Sequence, residues 1–163
     1  MGHADEFFDQ TTAEGKRAAD RIDYAAIQRK TDGRPSIVFF EAKRFDNKGL
    51  RSGKGNPAVI GQTNKYKEFI VENLPDFRKS YGRVCQNLVD LGLPRIDPLV
   101  KEAAANPGQL EVDPDVRLVD FGFDEDQRDG GVWKKHKTKL DEHFGKRLLL
   151  KGSPSEFTGG ISK

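Results

Sequence analysis

Residues 36–45, SIVFFEAKRF, decide how the fold is interpreted. The segment begins with the β-branched and aromatic residues typical of a buried β-strand. Glu41 and Lys43 then interrupt it two positions apart. Because side chains alternate along a strand, these two charged groups lie on the same face. A buried carboxylate or ammonium is costly unless it has a partner or a ligand, so this face is the first candidate for a functional site.

The segment before it, residues 21–30, predicts a second strand, and Thr31-Asp32-Gly33 supplies the turn of a β-hairpin. A two-residue loop would pair Asp23 with Ala42 and direct the Asp23 carboxylate to the opposite face. A three-residue loop, with Gly33 in the left-handed conformation, would instead pair Asp23 with Glu41. Their Cβ atoms would then lie about 5 Å apart.

Two carboxylates at that separation repel each other, and a divalent cation between them resolves the repulsion. Oxygen ligands favour Mg²⁺ or Mn²⁺. Lys43 beside such an ion would orient a water molecule or stabilise charge on a phosphoryl oxygen. The alternative is an ordinary ion pair of Lys43 with Glu41 or Asp23 on a solvated sheet face, in an unrelated α/β domain.

The rest of the chain predicts helices and strands in mixed order, and therefore a single α/β domain over residues 1–151. Short helical turns are expected within residues 4–19, and residues 152–163 are expected to form a tail. Asp124-Glu125-Asp126 is expected to be a turn. The other predicted elements are a helix over 57–73 with Asn56 as its N-cap, helices over 76–91 and 97–105, a strand over 116–123, a lysine-rich helix over 132–144 and a strand over 147–150.

The helix over 57–73 carries two polar residues on an otherwise apolar stripe. Gln62 and Tyr66 lie one turn apart on the face that also carries Val59, Phe69 and Ile70. A buried amide and a buried phenol need hydrogen-bond partners. The hairpin face that carries Lys43 is the expected source of those partners; the alternative is that Tyr66 is core and Gln62 lies at its edge.

Taken in order, Asp23, the Glu41-Ala42-Lys43 triplet and the Gln62-xxx-Tyr66 helix resemble the PD-(D/E)xK nuclease superfamily, in particular its RecB-type and λ-exonuclease-like branch. The resemblance covers residues 20–73 and extends more loosely to about residue 150. It implies a restriction-endonuclease-like mixed sheet flanked by helices. It also implies a metal-dependent nuclease that hydrolyses DNA phosphodiester bonds.

The resemblance implies a role for each matching residue. Asp23 and Glu41 would bind Mg²⁺ or Mn²⁺, with the backbone carbonyl of Ala42 as a further ligand. Lys43 would be the catalytic lysine, acting with the two acids. Gln62 and Tyr66 would support the site and the DNA phosphate.

The sequence departs from the family pattern at its N-terminal side. Only twenty residues precede the first predicted strand, so the first helix and strand of the core would be compressed, replaced or missing. Such a chain fits a part of a larger chain or complex. Glu14 is the candidate for the acidic residue that relatives carry on an upstream helix, although only nine positions separate it from Asp23.

Two basic segments of the sequence suit contacts with DNA. Residues 44–56 form a glycine-rich loop whose possible DNA contacts are Arg44, Lys48, Arg51 and Lys54. Lys134–Lys139 is a second basic patch, on a predicted helix. The alternative interpretation of both segments is a solvated surface. The alternative function is a nucleic-acid-binding or assembly module with a non-catalytic nuclease-like core.

Composition excludes several other classes of protein. A single cysteine, Cys85, cannot form an internal disulfide or a multi-cysteine metal site. No apolar run is long enough to span a bilayer, and the acidic N-terminus is unlike a signal peptide. A cytoplasmic protein without membrane contacts is therefore expected.

Overall fold

A computed structural model of the chain describes residues 21–152, apart from the side chains of Glu125, Arg128 and Val132. The predicted helical turns within 4–19, Glu14 and residues 153–163 of the predicted tail lie outside the described residues. Within 21–152 the chain forms one mixed sheet with helices, so the predicted α/β class is confirmed.

Five strands and five α-helices follow one another along the described chain, with short 3₁₀ turns at 48–50, 107–109 and 145–147. The elements are β1 (Tyr24–Arg29), β2 (Pro35–Arg44), α1 (Ala58–Glu72), α2 (Leu74–Asp90), α3 (Pro98–Ala105), β3 (Glu111–Val112), β4 (Arg117–Phe121), α4 (Glu125–Asp129), α5 (Gly131–Phe144) and β5 (Leu148–Lys151).

The sheet has the order β1-β2-β4-β5, with β3 beside the first part of β2. β1 is antiparallel to β2, whereas β3 and β4 run parallel to β2, and β5 runs parallel to β4. The parallel pairs require crossover connections, and α1–α3 and α4–α5 provide them. β2 is therefore central and buried over its first seven residues.

The hairpin turn has the three-residue loop, and with it the register that pairs the two acids. The Lys30 amide donates to the Arg34 carbonyl at 2.9 Å, and the Gly33 amide donates to the Lys30 carbonyl at 3.0 Å. Gly33 has φ 87°, a conformation that glycine adopts without steric cost. Tyr24 pairs with Phe40, so the next position along the hairpin places Asp23 across from Glu41.

Helices cover the sheet face that carries Glu41. Ile37 and Phe39 pack there with Tyr66 and Ile70 of α1 and with residues of α2 and α3. Toward β4, a second cluster joins Leu118 to α5 and to the loop before α1. These two clusters hold the helix that bears Gln62 and the hairpin that bears Glu41 in a fixed relation.

The helix starts differ from the predictions in two places. α1 begins at Ala58, with Pro57 in the cap position and no side-chain cap, so the prediction of Asn56 as N-cap is wrong. Pro57 has an extended ψ of 138°, and its carbonyl accepts from the Ile60 amide at 3.0 Å. α2 begins at Leu74, two residues early, because Pro75 lacks only an amide that the first turn does not use.

The predicted turn at 124–126 is instead the start of α4. The Asp124 carboxylate accepts from the Gln127 amide at 2.7 Å, while the Gln127 side chain accepts from the Asp124 amide at 3.1 Å. This reciprocal pair is a capping box, which satisfies two backbone donors that a helix start leaves open. β3 was not predicted, because two residues carry no readable alternation.

Candidate active site

The candidate site lies where the parallel strands β2, β4 and β5 end. Lys43 of β2 pairs with Asp120 of β4, which pairs with Leu150 of β5, each within two residues of its strand's end. In open α/β sheets, ligands bind beyond the carboxyl ends of the strands. The charged residues at the end of the 36–45 segment therefore lie at the edge of the sheet where a ligand site is expected.

Glu41 is the buried acid of the site. It is 1% exposed, and its Oε1 atom accepts a charge-assisted hydrogen bond from Lys43 Nζ. Its Oε2 atom is buried and has no hydrogen-bond partner among the described residues. Burial raises the pKa of Glu41, and the Lys43 ammonium opposes that increase only in part.

Asp23 approaches Glu41 from β1, as the hairpin register predicts. Its Oδ2 atom accepts from the Ala42 amide at 2.9 Å, so the carboxylate lies against the peptide bond between Glu41 and Ala42. Asp23 is exposed, unlike Glu41, and its negative charge contributes to the raised pKa of Glu41. The site thus combines one solvent-facing acid with one buried acid.

Gln62 and Tyr66 connect helix α1 to this pair of acids. Gln62 Nε2 donates to the Tyr66 hydroxyl at 2.7 Å, and that hydroxyl donates to the Arg21 carbonyl at 2.7 Å. The Gln62 side chain also lies close enough to Glu41 to oppose, as the smallest of several causes, the rise in the pKa of that acid. The predicted polar stripe therefore faces the hairpin, and Tyr66, which is 2% exposed, ties α1 to the chain two residues before Asp23.

The two basic segments meet in space. The Ser52 amide donates to His136 Nδ1 at 3.4 Å, and Lys139 Nζ donates to the Gly55 carbonyl. Burial lowers the pKa of His136, and the nearby cations Lys135, Arg51 and Lys139 lower it further. The loop over 44–56 is thus held against α5, so the loop and the lysine-rich helix form one surface.

The predicted DNA contacts occupy different environments. Lys48 and Lys54 are exposed. Arg44 is also exposed and forms an ion pair with Asp46. Arg51 is only partly exposed, and its guanidinium lies over the rings of Phe45, at 4.9 Å, and Trp133, at 5.5 Å. Three of these four cations are therefore exposed, whereas Arg51 is half-buried against two aromatic rings.

Asp120 belongs to this region and was missed from the sequence. It is 0% exposed, and neither of its carboxylate oxygens has a hydrogen-bond partner among the described residues. Burial raises its pKa to about 7, opposed by the charge of Arg51. The available signal was the one that identified Glu41, a lone acid inside an apolar strand, here in VRLVDF over 116–121.

The donor set fits a small divalent cation bound through few protein ligands. Within residues 21–152, no three His, Cys, Asp or Glu side chains are grouped closely enough to hold a metal ion. Mg²⁺ commonly binds through one or two carboxylates and retains several water molecules. Asp23 and the partnerless Oε2 atom of Glu41 match that small number of ligands, and the Ala42 carbonyl remains a predicted further ligand.

Comparison with protein-family models, with curated proteins and with solved structures finds no significant match to this chain. The site is therefore interpreted from its own chemistry. In the part of the chain that the structure describes, no helix combines the length and apolarity needed to cross a bilayer.

Proposed function

We propose that this chain is a metal-dependent nuclease that hydrolyses DNA phosphodiester bonds, built on a restriction-endonuclease-like core. The observation that carries the proposal is the convergence of Asp23, Glu41 and Lys43 at the end of a hairpin. Gln62 and Tyr66 of the following helix fasten that hairpin in place.

In this proposal Asp23, Glu41 and the Ala42 carbonyl would hold Mg²⁺ or Mn²⁺, which would polarise a phosphodiester oxygen and acidify a bound water molecule. Lys43 reaches the edge of the sheet with its side chain 19% exposed. From there its ammonium donates to the phosphate or to the attacking water and stabilises the charge that develops in the transition state.

Gln62 and Tyr66 act on the position of Glu41 in this mechanism. The Gln62 amide approaches the carboxylate from α1, and the Tyr66 hydroxyl holds that amide while it is itself held by the Arg21 carbonyl. A ligand fixed by neighbouring hydrogen bonds loses less entropy when substrate binds. The exposed cations Lys48 and Lys54 lie on the loop beside the site, where they suit contacts to the DNA backbone.

One observation favours a second candidate function. The ion pair between Lys43 and Glu41 gives both charges a partner without any added ion. A nucleic-acid-binding or assembly module with a non-catalytic core would retain that pair as a structural element. Such a module would bind DNA through the basic surface and would not cleave it.

A cleavage assay separates the two candidates. Linear and circular DNA are incubated with the wild-type protein in Mg²⁺, in Mn²⁺ and in a chelator, and Lys43→Ala and Glu41→Ala are compared. Lys101→Ala, which removes an exposed lysine on α3, is the matched control. The proposal predicts cleavage that requires the cation and falls at least about 100-fold in both site variants.

Cleavage in the chelator, or full activity in both site variants, contradicts the proposed mechanism. DNA binding that persists in all four proteins without cleavage by any of them supports the binding module. Cleavage of linear DNA alone would identify an exonuclease, and cleavage of both forms would identify an endonuclease.

A further inference from the structure

Asp120 is an acid at a buried position where an apolar residue would be expected. It lies on β4, across from Lys43, on the sheet face that also carries Glu41. The equivalent face of β4 two residues earlier holds Leu118, which is fully buried in an apolar cluster. An aliphatic residue at 120 would continue that cluster, whereas a buried carboxylate there carries a desolvation cost.

No described group donates a hydrogen bond that would offset that cost in the present arrangement. Both Asp120 oxygens are buried and without a hydrogen-bond donor among residues 21–152. Arg51 is the cation whose charge acts on Asp120, but its guanidinium lies over Phe45 and Trp133 and its Nη1 atom donates to the Asn47 carbonyl at 3.2 Å. Both Asp120 oxygens therefore retain their capacity to accept a hydrogen bond.

Lys43 lies between two buried carboxylates but binds only one of them. Its ammonium donates to Glu41, two residues earlier on the same strand, while its register partner on the neighbouring strand is Asp120. Adjacent strands lie about 4.8 Å apart, and a lysine side chain has four rotatable bonds. Its ammonium can therefore be redirected from Glu41 toward Asp120 without movement of the backbone.

A cation bound by Glu41 makes that second partner necessary. A divalent ion and an ammonium repel each other, so an ion on Oε2 of Glu41 would weaken the contact of Lys43 with Oε1 and favour a second partner for the ammonium. We propose that Asp120 is a positioning residue that receives the Lys43 ammonium when a divalent cation occupies Glu41. It would keep the lysine at the strand end, beside the substrate phosphate. This inference rests on the proposed function, because it requires a cation at Glu41.

The test compares wild type with Asp120→Asn, and with Asp46→Asn as a control that removes an exposed carboxylate from the neighbouring loop. The reactivity of Lys43 toward an amine-acylating reagent is mapped by mass spectrometry with and without Mg²⁺. In wild type and in Asp46→Asn, Lys43 should stay protected in both conditions. In Asp120→Asn it should be protected without Mg²⁺ and react at least tenfold faster with it.

A conservative variant and two further readouts separate positioning from a structural role. Asp120→Glu, which keeps a carboxylate, should restore protection. Mg²⁺ affinity by calorimetry should change less than threefold in Asp120→Asn, while kcat for DNA cleavage falls at least tenfold and KM changes little. A merely structural residue would alter neither the Mg²⁺-dependence of Lys43 reactivity nor the division between kcat and KM.

Equal protection of Lys43 in Asp120→Asn with and without Mg²⁺ would overturn the inference and leave the proposed function intact. A tenfold loss of Mg²⁺ affinity in that variant would also overturn it, because Asp120 would then be a direct ligand. Wild-type protein that binds no divalent cation would overturn the proposed function and this inference together.

Discussion

Replacement of Asp120 by Asn should change how the stability of the metal-free protein depends on pH. The Asp120 carboxyl is 0% exposed, and burial raises its pKa from 3.8 to about 7. The folded protein therefore binds a proton more tightly than the unfolded chain does. Between the two pKa values, each pH unit removes about 1.4 kcal/mol of stability from wild type relative to Asp120→Asn.

The sign and the size of the effect follow from that difference. The contribution of the Asp120 proton to the free energy of unfolding is fully present below about pH 4. It declines as the pH rises toward about 7, and above that pH it is lost and no longer changes. The total loss is about 4 kcal/mol, from a pKa difference of about 3. Urea unfolding gives the free energy of unfolding of both proteins at pH 4, 5, 6, 7 and 8. The predicted loss is the change, between pH 4 and pH 8, in the difference between wild type and Asp120→Asn.

Asp46→Asn is the control for this experiment, because it should give the opposite sign. The Arg44 guanidinium lowers the pKa of Asp46, so the contribution of that exposed carboxyl is lost as the pH falls. A constant difference between wild type and Asp120→Asn from pH 4 to 8 would refute the reasoning. A difference that grows in favour of wild type as the pH rises would refute it as well.

Three further predictions concern the site and its hairpin. Lys43→Ala leaves the buried Glu41 charge unpaired and should lower the free energy of unfolding at pH 7 by about 3 kcal/mol or more, measured by urea titration. The double variant Lys43→Ala/Glu41→Gln should recover most of that lost free energy. Tyr66→Phe removes the hydroxyl that joins α1 to the chain before β1; a loss of about 1 kcal/mol is expected in the same assay, and no loss would show that this bond is dispensable. Gly33→Ala should lower the free energy of unfolding by about 1 kcal/mol in thermal unfolding, because Gly33 has a φ of 87°. Gly53→Ala should change it little, because the φ of Gly53 lies outside the left-handed region and an added Cβ would meet no other atom.

The hairpin was predictable because its determinants are local. Alternation within residues 36–45 and the glycine of the turn limit the hairpin to two registers, and the register of the three-residue loop is the one observed. The pairing of Asp23 with Glu41 follows from the same turn. The polar pair on α1 was predictable for the same reason, since Gln62 and Tyr66 lie one turn apart.

Asp120 could be noticed as a lone acid in an apolar strand, but its place beside Lys43 could not be predicted. The packed position of Arg51 could not be predicted either, because both depend on contacts between distant segments. Asp120 meets Lys43 only after a crossover of more than seventy residues has laid β4 beside β2. Arg51 was predicted as a possible DNA contact because it lies in the basic, glycine-rich loop over 44–56. Its aromatic neighbour Trp133 comes from α5, more than eighty positions further on.

A substitution that removes the charge of Glu41 tests most directly whether this chain cleaves DNA with a cation bound at that residue. The Glu41→Gln variant preserves the size of the side chain and the approach of α1, and removes only the negative charge that the proposed cation and Lys43 share. The DNA cleavage rate is measured at saturating Mg²⁺ for wild type, for Glu41→Gln and for Asp46→Asn, with circular dichroism to verify folding. Wild type should cleave DNA, and Asp46→Asn should cleave it at a rate within twofold of wild type. Folded Glu41→Gln should cleave DNA no faster than wild type does when a chelator removes the cation. Folded Glu41→Gln that cleaves DNA at the wild-type rate would contradict the proposed function.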